Sequence, residues 1–476
     1  MTKPRVALVA PPVNFLTELY GFRGRAGYRN QPPLGLGYLA ATLQQRGLPV
    51  VLLDAAAEGW DRETTARRIL SGRPDVIGVT AISFEAPAAY RLLEILRPRT
   101  DALLVLGGAH ANAHHDAVAE ECPQADAVVV GDGEQTLVEI CEARAAGRDL
   151  EGIAGLRWRQ PDGSLSPLEA RPRIDDLDTL PFPAYDLFPH HRYRPLPHRR
   201  KRLPATCLIT SRGCSYGRCT YCEMSRLSRK DYRRHSPARV VAEMERVQGI
   251  TGAREIYFQD DIFVTDPSWV EEFCERLVAA RLELIWSCES RFDNLPLALM
   301  QRMQRAGCWR IYFGFESGNQ DLLDRIRKGF SLAEARDAAR RANAAGLEVV
   351  GFFMLGLPGE TPEQGRRTIE FSLTLGLEHA MYSLTVPHPG TELHAICEQD
   401  GEILQTDSYY LKRASYLPRG YASAEQLERL QAEAYRRFYL RPKYLWQCLG
   451  RVRGLEELRH YAVGAASLLR FLDVTR

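Results

Sequence analysis

Short β-branched runs, each followed by a helical pattern, recur along most of this chain, and that alternation limits the possible folds more than any other feature. Five such units fill residues 1–146, with strands expected at 5–10, 49–53, 75–80, 102–106 and 126–130. Six more fill residues 205–405, with strands expected at 205–210, 255–259, 284–288, 310–315, 347–354 and 379–384. When a helix separates successive strands, each crossover brings the chain back in the same direction, so the strands pair in parallel and helices cover the sheet. Helix starts are well marked. Ser236-Pro237 and Asp266-Pro267 each offer a capping side chain ahead of a proline, while Ser331-x-x-Glu334 and Thr361-x-x-Gln364 read as capping boxes. The pattern predicts an α/β chain with a doubly wound, Rossmann-like N-terminal domain and a second series of six βα units.

The remaining segments read differently. Residues 147–204 are rich in Pro, Gly and charge, and form a linker in which Leu156-Arg-Trp-Arg and Pro161-Asp-Gly predict a small hairpin. Its end, 190–202, packs six Arg or Lys among three His and two Pro, read as a solvated strap, with an anionic or membrane-surface patch as the alternative. Residues 406–476 are helical and carry Tyr409, Tyr410, Tyr416, Tyr421, Tyr435, Phe438, Tyr439, Tyr444 and Trp446, which serve packing or cover an open barrel.

Cys214, Cys219 and Cys222 lie within nine residues, just past the strand expected at 205–210. Three soft thiolates on one short loop can bind three irons of a [4Fe–4S] cluster and leave the fourth open to substrate. A zinc knuckle is the alternative, but structural zinc takes four ligands in paired spacings, and no partner pair follows closely. In parallel α/β sheets and barrels, ligands gather at the carboxyl ends of the strands. In the first domain those ends carry Pro11, Pro12, Asp54, Thr80, Ser83, Gly107, Gly108, His110, Gly131, Gly133 and Glu134. In the second they carry Gln259, Asp260, Asp261, Ser290, Arg291, Glu316, Ser317 and the turn from Pro387 to Glu392.

Composition excludes several classes. The 476 residues hold 62 basic and 60 acidic side chains, a net of +2, which lacks the basic footprint of a nucleic-acid binder. No apolar run reaches spanning length, the stretch at 461–472 included, and the short apolar run near the N-terminus is no signal peptide, so a cytoplasmic protein with at most peripheral membrane contact is expected. Eleven cysteines, three of them clustered, suit a reducing compartment better than a disulfide framework.

The cysteine loop resembles that of the radical S-adenosylmethionine (SAM) enzymes, Cys-x3-Cys-x2-Cys with an aromatic residue before the last thiol, here Tyr221. It departs by one extra residue, most simply Gly217. The first domain, with Gln31-Pro-Pro-Leu-Gly-Leu-Gly, Leu52-Leu-Asp54, Gly107-Gly-Ala-His110 and Gly131-Asp-Gly-Glu134, resembles the cobalamin-binding domain that precedes many such barrels. Nearly the whole chain is therefore similar to cobalamin-dependent radical SAM enzymes, in the branch with the anaerobic magnesium-protoporphyrin monomethyl ester cyclase and hopanoid-modifying enzymes. The resemblance implies a partial (β/α)6 barrel, with Cys214, Cys219 and Cys222 on a [4Fe–4S] cluster. It implies SAM contacts from Gln259, Asp260, Asp261, Ser290, Arg291, Glu316, Ser317 and the loop at Gly356. Cobalamin is implied without a lower axial histidine, because Asp54 is followed by Ala55, Ala56 and Ala57 rather than Asp-x-His-x-x-Gly. The implied activity is C-methylation of an unreactive carbon, with radical cyclisation or oxidative rearrangement, or a non-catalytic cobalamin carrier or sensor, as alternatives. Implied partners are a small molecule (lipid, tetrapyrrole or natural-product intermediate) and a low-potential donor such as flavodoxin or ferredoxin.

Overall fold

The computed structural model describes residues 3–13, 31–193, 195, 199–224, 232–404, 413–442, 444 and 446. They fall into two compact units, one running to Pro195 and including Arg246–Gly252, the other holding the rest. In the first unit the strands β1 (Val6–Ala10), β2 (Val50–Asp54), β3 (Val76–Thr80), β4 (Leu103–Gly107) and β5 (Ala127–Val129) pair in parallel in the order β2-β1-β3-β4-β5. All five residues of β1 are buried, as expected of a central strand with both faces covered. Side chains alternate between faces, so Val6, Leu8 and Ala10 join one core with the helices Leu34–Gln45 and Gly133–Ala146, while Ala7 and Val9 join the other with Arg62–Ser71, Ala86–Leu96 and Ala109–Glu121. A fully buried Leu or Val contributes about 1.5–3 kcal/mol, and the two cores hold the sheet from both sides. The sheet is doubly wound, and its chain order reverses at β1 and β3, which places the loops at Pro12 and Ser83 beside the crevice where such sheets bind ligands.

The linker contributes a sixth strand to this sheet. β6 (Leu156–Trp158) pairs antiparallel with β5 and turns back through an Arg159–Leu165 bridge. The turn closes with Gln160 N–H donating to Ser164 O at 2.8 Å, and Gly163 supplies its positive φ of 84°. The expected hairpin is present, and its first strand extends the N-terminal sheet.

The second unit opens with β7 (Ala205–Leu208), followed by a small antiparallel pair, β8 (Ser211–Arg212) and β9 (Arg233–Arg234). Five more strands continue it: β10 (Glu255–Phe258), β11 (Ile285–Ser290), β12 (Cys308–Glu316), β13 (Glu348–Leu355) and β14 (His379–Leu384). The sheet runs β7-β10-β11-β12-β13-β14, all parallel and in chain order, with β7 and β14 left as its two edges. That is an open six-stranded barrel wall. The predicted caps hold: Asp266 accepts from Ser268 N–H, and Ser331 and Thr361 make capping boxes with Glu334 and Gln364.

The edge at β14 is closed by the helix Ala424–Tyr439. Tyr439 Oη accepts from Ala380 N–H at 3.3 Å and donates to Ala380 O at 3.0 Å, Tyr435 Oη accepts from Tyr382 N–H at 3.2 Å, and Gln431 donates to Tyr382 O at 2.7 Å. Side chains thus satisfy backbone groups that a bare edge leaves open. Tyr435 and Tyr439 are edge seals, and Trp446 is 75% exposed. Tyr409, Tyr410 and the 461–472 run lie outside the described residues. Among the described residues no helix is long and apolar enough to cross a membrane.

Candidate metal centre and cofactor sites

The chain leaves β7 and enters the cysteine loop through Thr210 and Ser211, both anchored on Asp260 at the end of β10. The Asp260 carboxylate accepts from Thr210 N–H at 3.0 Å, from Thr210 Oγ1 at 2.8 Å and from the Ser211 hydroxyl. Gly213 and Gly217 then take φ of 83° and 52°, turning the loop where side chains would strain it. Gly217 N–H donates to Cys214 Sγ at 3.5 Å, and Cys222 N–H to Cys219 O at 3.3 Å.

The three thiols of this loop are half-buried, whereas the other seven described cysteines are buried. Burial pushes the thiols of Cys122 up to about 11 and of Cys141 up to about 12, which keeps them protonated and inert. Burial also raises Cys219, and the cations Lys328 and Arg291 offset part of that rise. Among the described residues no three Cys, His, Asp or Glu side chains converge on one metal ion. A cubane cluster takes one thiolate at each of three separate irons, so the accessible soft donors of this loop fit that group.

Tyr221 stands behind the loop. Its hydroxyl donates to Glu316 Oε1 at 3.0 Å and accepts from Lys328 Nζ at 3.0 Å, while Lys328 Nζ donates to Glu316 Oε1 at 2.8 Å. Burial and the Glu316 carboxylate hold the Tyr221 phenol neutral. Burial pulls the Lys328 ammonium down, yet Glu316 and Cys219 push it up further, so it stays charged. Glu316 adopts φ of 61°, where β12 slips register against β13 between Gly314 and Glu316. A non-glycine residue held there costs about 1–3 kcal/mol and is found where surrounding contacts over-determine it, often at functional sites.

The other expected barrel residues divide into two groups. Gln259 and Asp261 are exposed at the mouth. Asp261 is open to solvent on one side but crowded by protein, and that crowding, with the Asp260 and Glu289 carboxylates, raises it to about 6. Ser290, Arg291 and Ser317 are instead engaged within the wall. Ser290 Oγ accepts from Val264 N–H at 3.1 Å, and Ser317 Oγ sits 3.2 Å from Thr368 Oγ1. Arg291 donates to Asp293 Oδ2 at 2.6 Å and to Lys328 O at 2.9 Å, with its guanidinium 3.7 Å from the centre of the Tyr216 ring. Gly356, at φ of 76°, abuts Leu427 and donates its N–H to Glu360 at 2.7 Å.

At the carboxyl ends of the first sheet, Asp54 is 1% exposed and committed to local structure. It accepts from Ala57 N–H and from Tyr193 Oη, each at 3.0 Å. Gly108 has φ of 102°, and a Cβ there would meet Thr80 Oγ1 and Ala81 O at 2.6 Å, a close packing of helix on strand. His110 reaches Tyr90 Oη at 3.0 Å and Ser83 Oγ at 3.2 Å. Gly131, at φ of 90°, donates its N–H to Asn112 at 2.7 Å. Gly107 ends β4, Gly133 and the buried Glu134 open the next helix, and Pro12 follows β1.

Reading strand ends alone overlooked four side chains. Tyr257 donates to the Glu289 carboxylate inside the barrel, and burial raises Glu289. Alternation along β10 and β11 puts both on the lumen face, a signal that the sequence does carry. Tyr216 and Lys328 have no such signal, because their partners are far away in the chain.

The Radical SAM superfamily profile matches residues 208–372, and that of the B12 binding domain matches residues 26–141. An uncharacterized methyltransferase of Pyrococcus horikoshii is 32% identical over 93% of this chain and 94% of its own length. The anaerobic magnesium-protoporphyrin IX monomethyl ester cyclase of Rubrivivax gelatinosus is 27% identical over 91% of this chain and 78% of its own. The solved structure of the radical SAM methyltransferase TsrM of Kitasatospora setae, with cobalamin and a [4Fe–4S] cluster bound, superimposes with a TM-score of 0.70 over 92% of this chain and 90% of its own, at 20% identity.

Proposed function

We propose, for a chain that belongs to the radical SAM enzymes with an N-terminal B12-binding domain, that its reaction is C-methylation of a small molecule. The carrying observation is the half-buried trio Cys214, Cys219 and Cys222 at the carboxyl edge of the barrel wall, in a chain related along nearly its full length to a methyltransferase. The three thiolates would hold a [4Fe–4S] cluster, with SAM at its open iron and cobalamin at the first domain. Bound there, these groups supply the electron that cleaves SAM and a carrier for methyl.

The chain's own residues place and protect the reactants. Asp260 fixes the loop entry, and Tyr221 and the buried Lys328–Glu316 ion pair back the loop with a mutually hydrogen-bonded set. Gln259, Asp261 and Glu316 would face the hydroxyl and amine groups of SAM, Gln259 and Asp261 from exposed positions after β10 and Glu316 from the end of β12. Ser290, Arg291 and Ser317 support the wall from within. In the first domain, Pro12, Thr80, Ser83, Gly107, Gly108, His110, Gly131, Gly133 and Glu134 would border cobalamin. Asp54, at the same strand ends, caps Ala57 and accepts from Tyr193, and the Ala55-Ala56-Ala57 run that follows it would offer bound cobalamin no histidine from that loop. We place the protein in the cytoplasm, supplied by a low-potential donor of the flavodoxin or ferredoxin kind.

Cyclisation is the second reading, favoured by the likeness to the protoporphyrin ester cyclase, and a tetrapyrrole is then the substrate class. Anaerobic turnover of candidate substrates with mass detection separates the two. Methylation gives a product heavier by one CH2 with S-adenosylhomocysteine alongside, whereas cyclisation gives neither.

A further inference from the structure

The cysteine loop is one residue longer between its first two thiols than the usual spacing, and a longer spacer leaves the second sulfur more positions to occupy. A single turn removes that freedom. Thr220 N–H donates to Ile326 O at 3.2 Å, Tyr216 Oη donates to Arg327 O at 2.7 Å, and Lys328 Nζ donates to Tyr221 Oη at 3.0 Å. Gly329 abuts Tyr216 so closely that a Cβ on it would fall 2.2 Å from Tyr216 Oη. Four consecutive residues, 326 to 329, therefore each meet the loop, on both sides of Cys219. Arg327 and Gly329 hold positive φ, 52° and 74°, so the turn has a fixed shape. Arg291 completes it, lying 3.7 Å from the centre of the Tyr216 ring while donating to Lys328 O at 2.9 Å.

We infer that the 326–329 turn is a template that registers the four-residue spacer, with Tyr216 as the pin that sets where the Cys219 sulfur sits. The inference rests on the reading that the three cysteines hold a [4Fe–4S] cluster. Tyr216, Lys328 and Gly329 are positioning residues, acting through the loop.

Deletion of Gly217 tests it, because that change restores the common spacing but pulls Tyr216 out of register with Arg327 and Gly329. Full-length wild type, the Gly217 deletion and Gly329→Ala are reconstituted anaerobically with iron and sulfide. Iron per chain and the electron paramagnetic resonance spectrum of the reduced cluster before SAM is added are then measured. The template predicts iron affinity roughly tenfold or more below wild type for the deletion, the usual cost of losing an outer partner of a metal ligand. For Gly329→Ala, which displaces the pin without altering the spacing, it predicts a shifted spectrum. A deletion variant that binds cluster as well as wild type, or a Gly329→Ala spectrum superimposable on wild type, overturns the template. Failure of the underlying reading looks different, since wild type itself then assembles no [4Fe–4S] cluster. If the deletion variant does not fold, the Gly329→Ala spectrum decides.

Discussion

Lys328 Nζ lies 2.8 Å from Glu316 Oε1, and both side chains are less than one-tenth exposed. Two charges buried this deeply hold each other in place, and removing one leaves the other stranded. Breaking such a pair from one side costs about 3–5 kcal/mol. Lys328→Met is expected to lower the unfolding free energy of the barrel by that order, and Lys328→Met with Glu316→Leu to recover much of it. Urea unfolding of the two variants checks this, and an additive double variant would contradict it.

Glu360 makes a second buried carboxyl, 0% exposed. Burial raises it to about 7, partly offset by donors from Tyr421 and Gly356. The folded state then keeps a proton that the unfolded chain releases above 4.5, so stability is present in full at low pH and falls as pH rises from 4.5 to about 7. Glu360→Gln keeps the accepting oxygen and cannot ionise. Melting temperatures of the two proteins are expected to agree near pH 5 and to diverge towards pH 8, with the variant higher by an amount worth about 3 kcal/mol.

Gly108 separates packing from cofactor contact. A Cβ there would collide with Thr80 and Ala81, and the backbone sits at φ of 102°. Gly108→Ala is expected to destabilise the cobalamin-free protein by about 1–3 kcal/mol, the range for strain at such a backbone position. A variant with unchanged apo stability and weakened cobalamin uptake would assign the glycine to the ligand instead.

Tyr435 and Tyr439 seal the β14 edge, and removing both hydroxyls withdraws the side-chain partners of Ala380 N–H and Tyr382 N–H. Tyr435→Phe with Tyr439→Phe is expected to cost about 1–3 kcal/mol in total. Hydrogen exchange at Ala380 and Tyr382 should accelerate, and unchanged exchange would mean that the helix seals the edge without them.

The first sheet was legible because its central strand, buried on both faces, reads as a continuous apolar run; in the second sheet the strand at 379–384 needed no adjustment, although its burial alternates. The strand expected at 310–315 starts two residues earlier and ends in a register slip, because Glu316 is turned by contacts with Tyr221 and Lys328 that no local pattern encodes. The three clustered thiols stood out by their spacing, and in the structure they are the half-buried cysteines among the described residues. The bonds that Arg291 and Asp260 make to wall and loop were not legible, since a side chain's choice among nearby partners is settled by tertiary approach. Lys328 follows a helix in a turn without a motif, and its importance arises only where that turn meets the cysteine loop.

Anaerobic reconstitution of the full chain, followed by addition of SAM and a strong reductant, decides whether the three thiols carry the chemistry. A [4Fe–4S] signal and release of 5′-deoxyadenosine or S-adenosylhomocysteine from SAM are expected, with loss of both signal and cleavage when Cys214, Cys219 and Cys222 are all changed to Ser. Zinc at these thiols, or a cluster that leaves SAM intact, would contradict it.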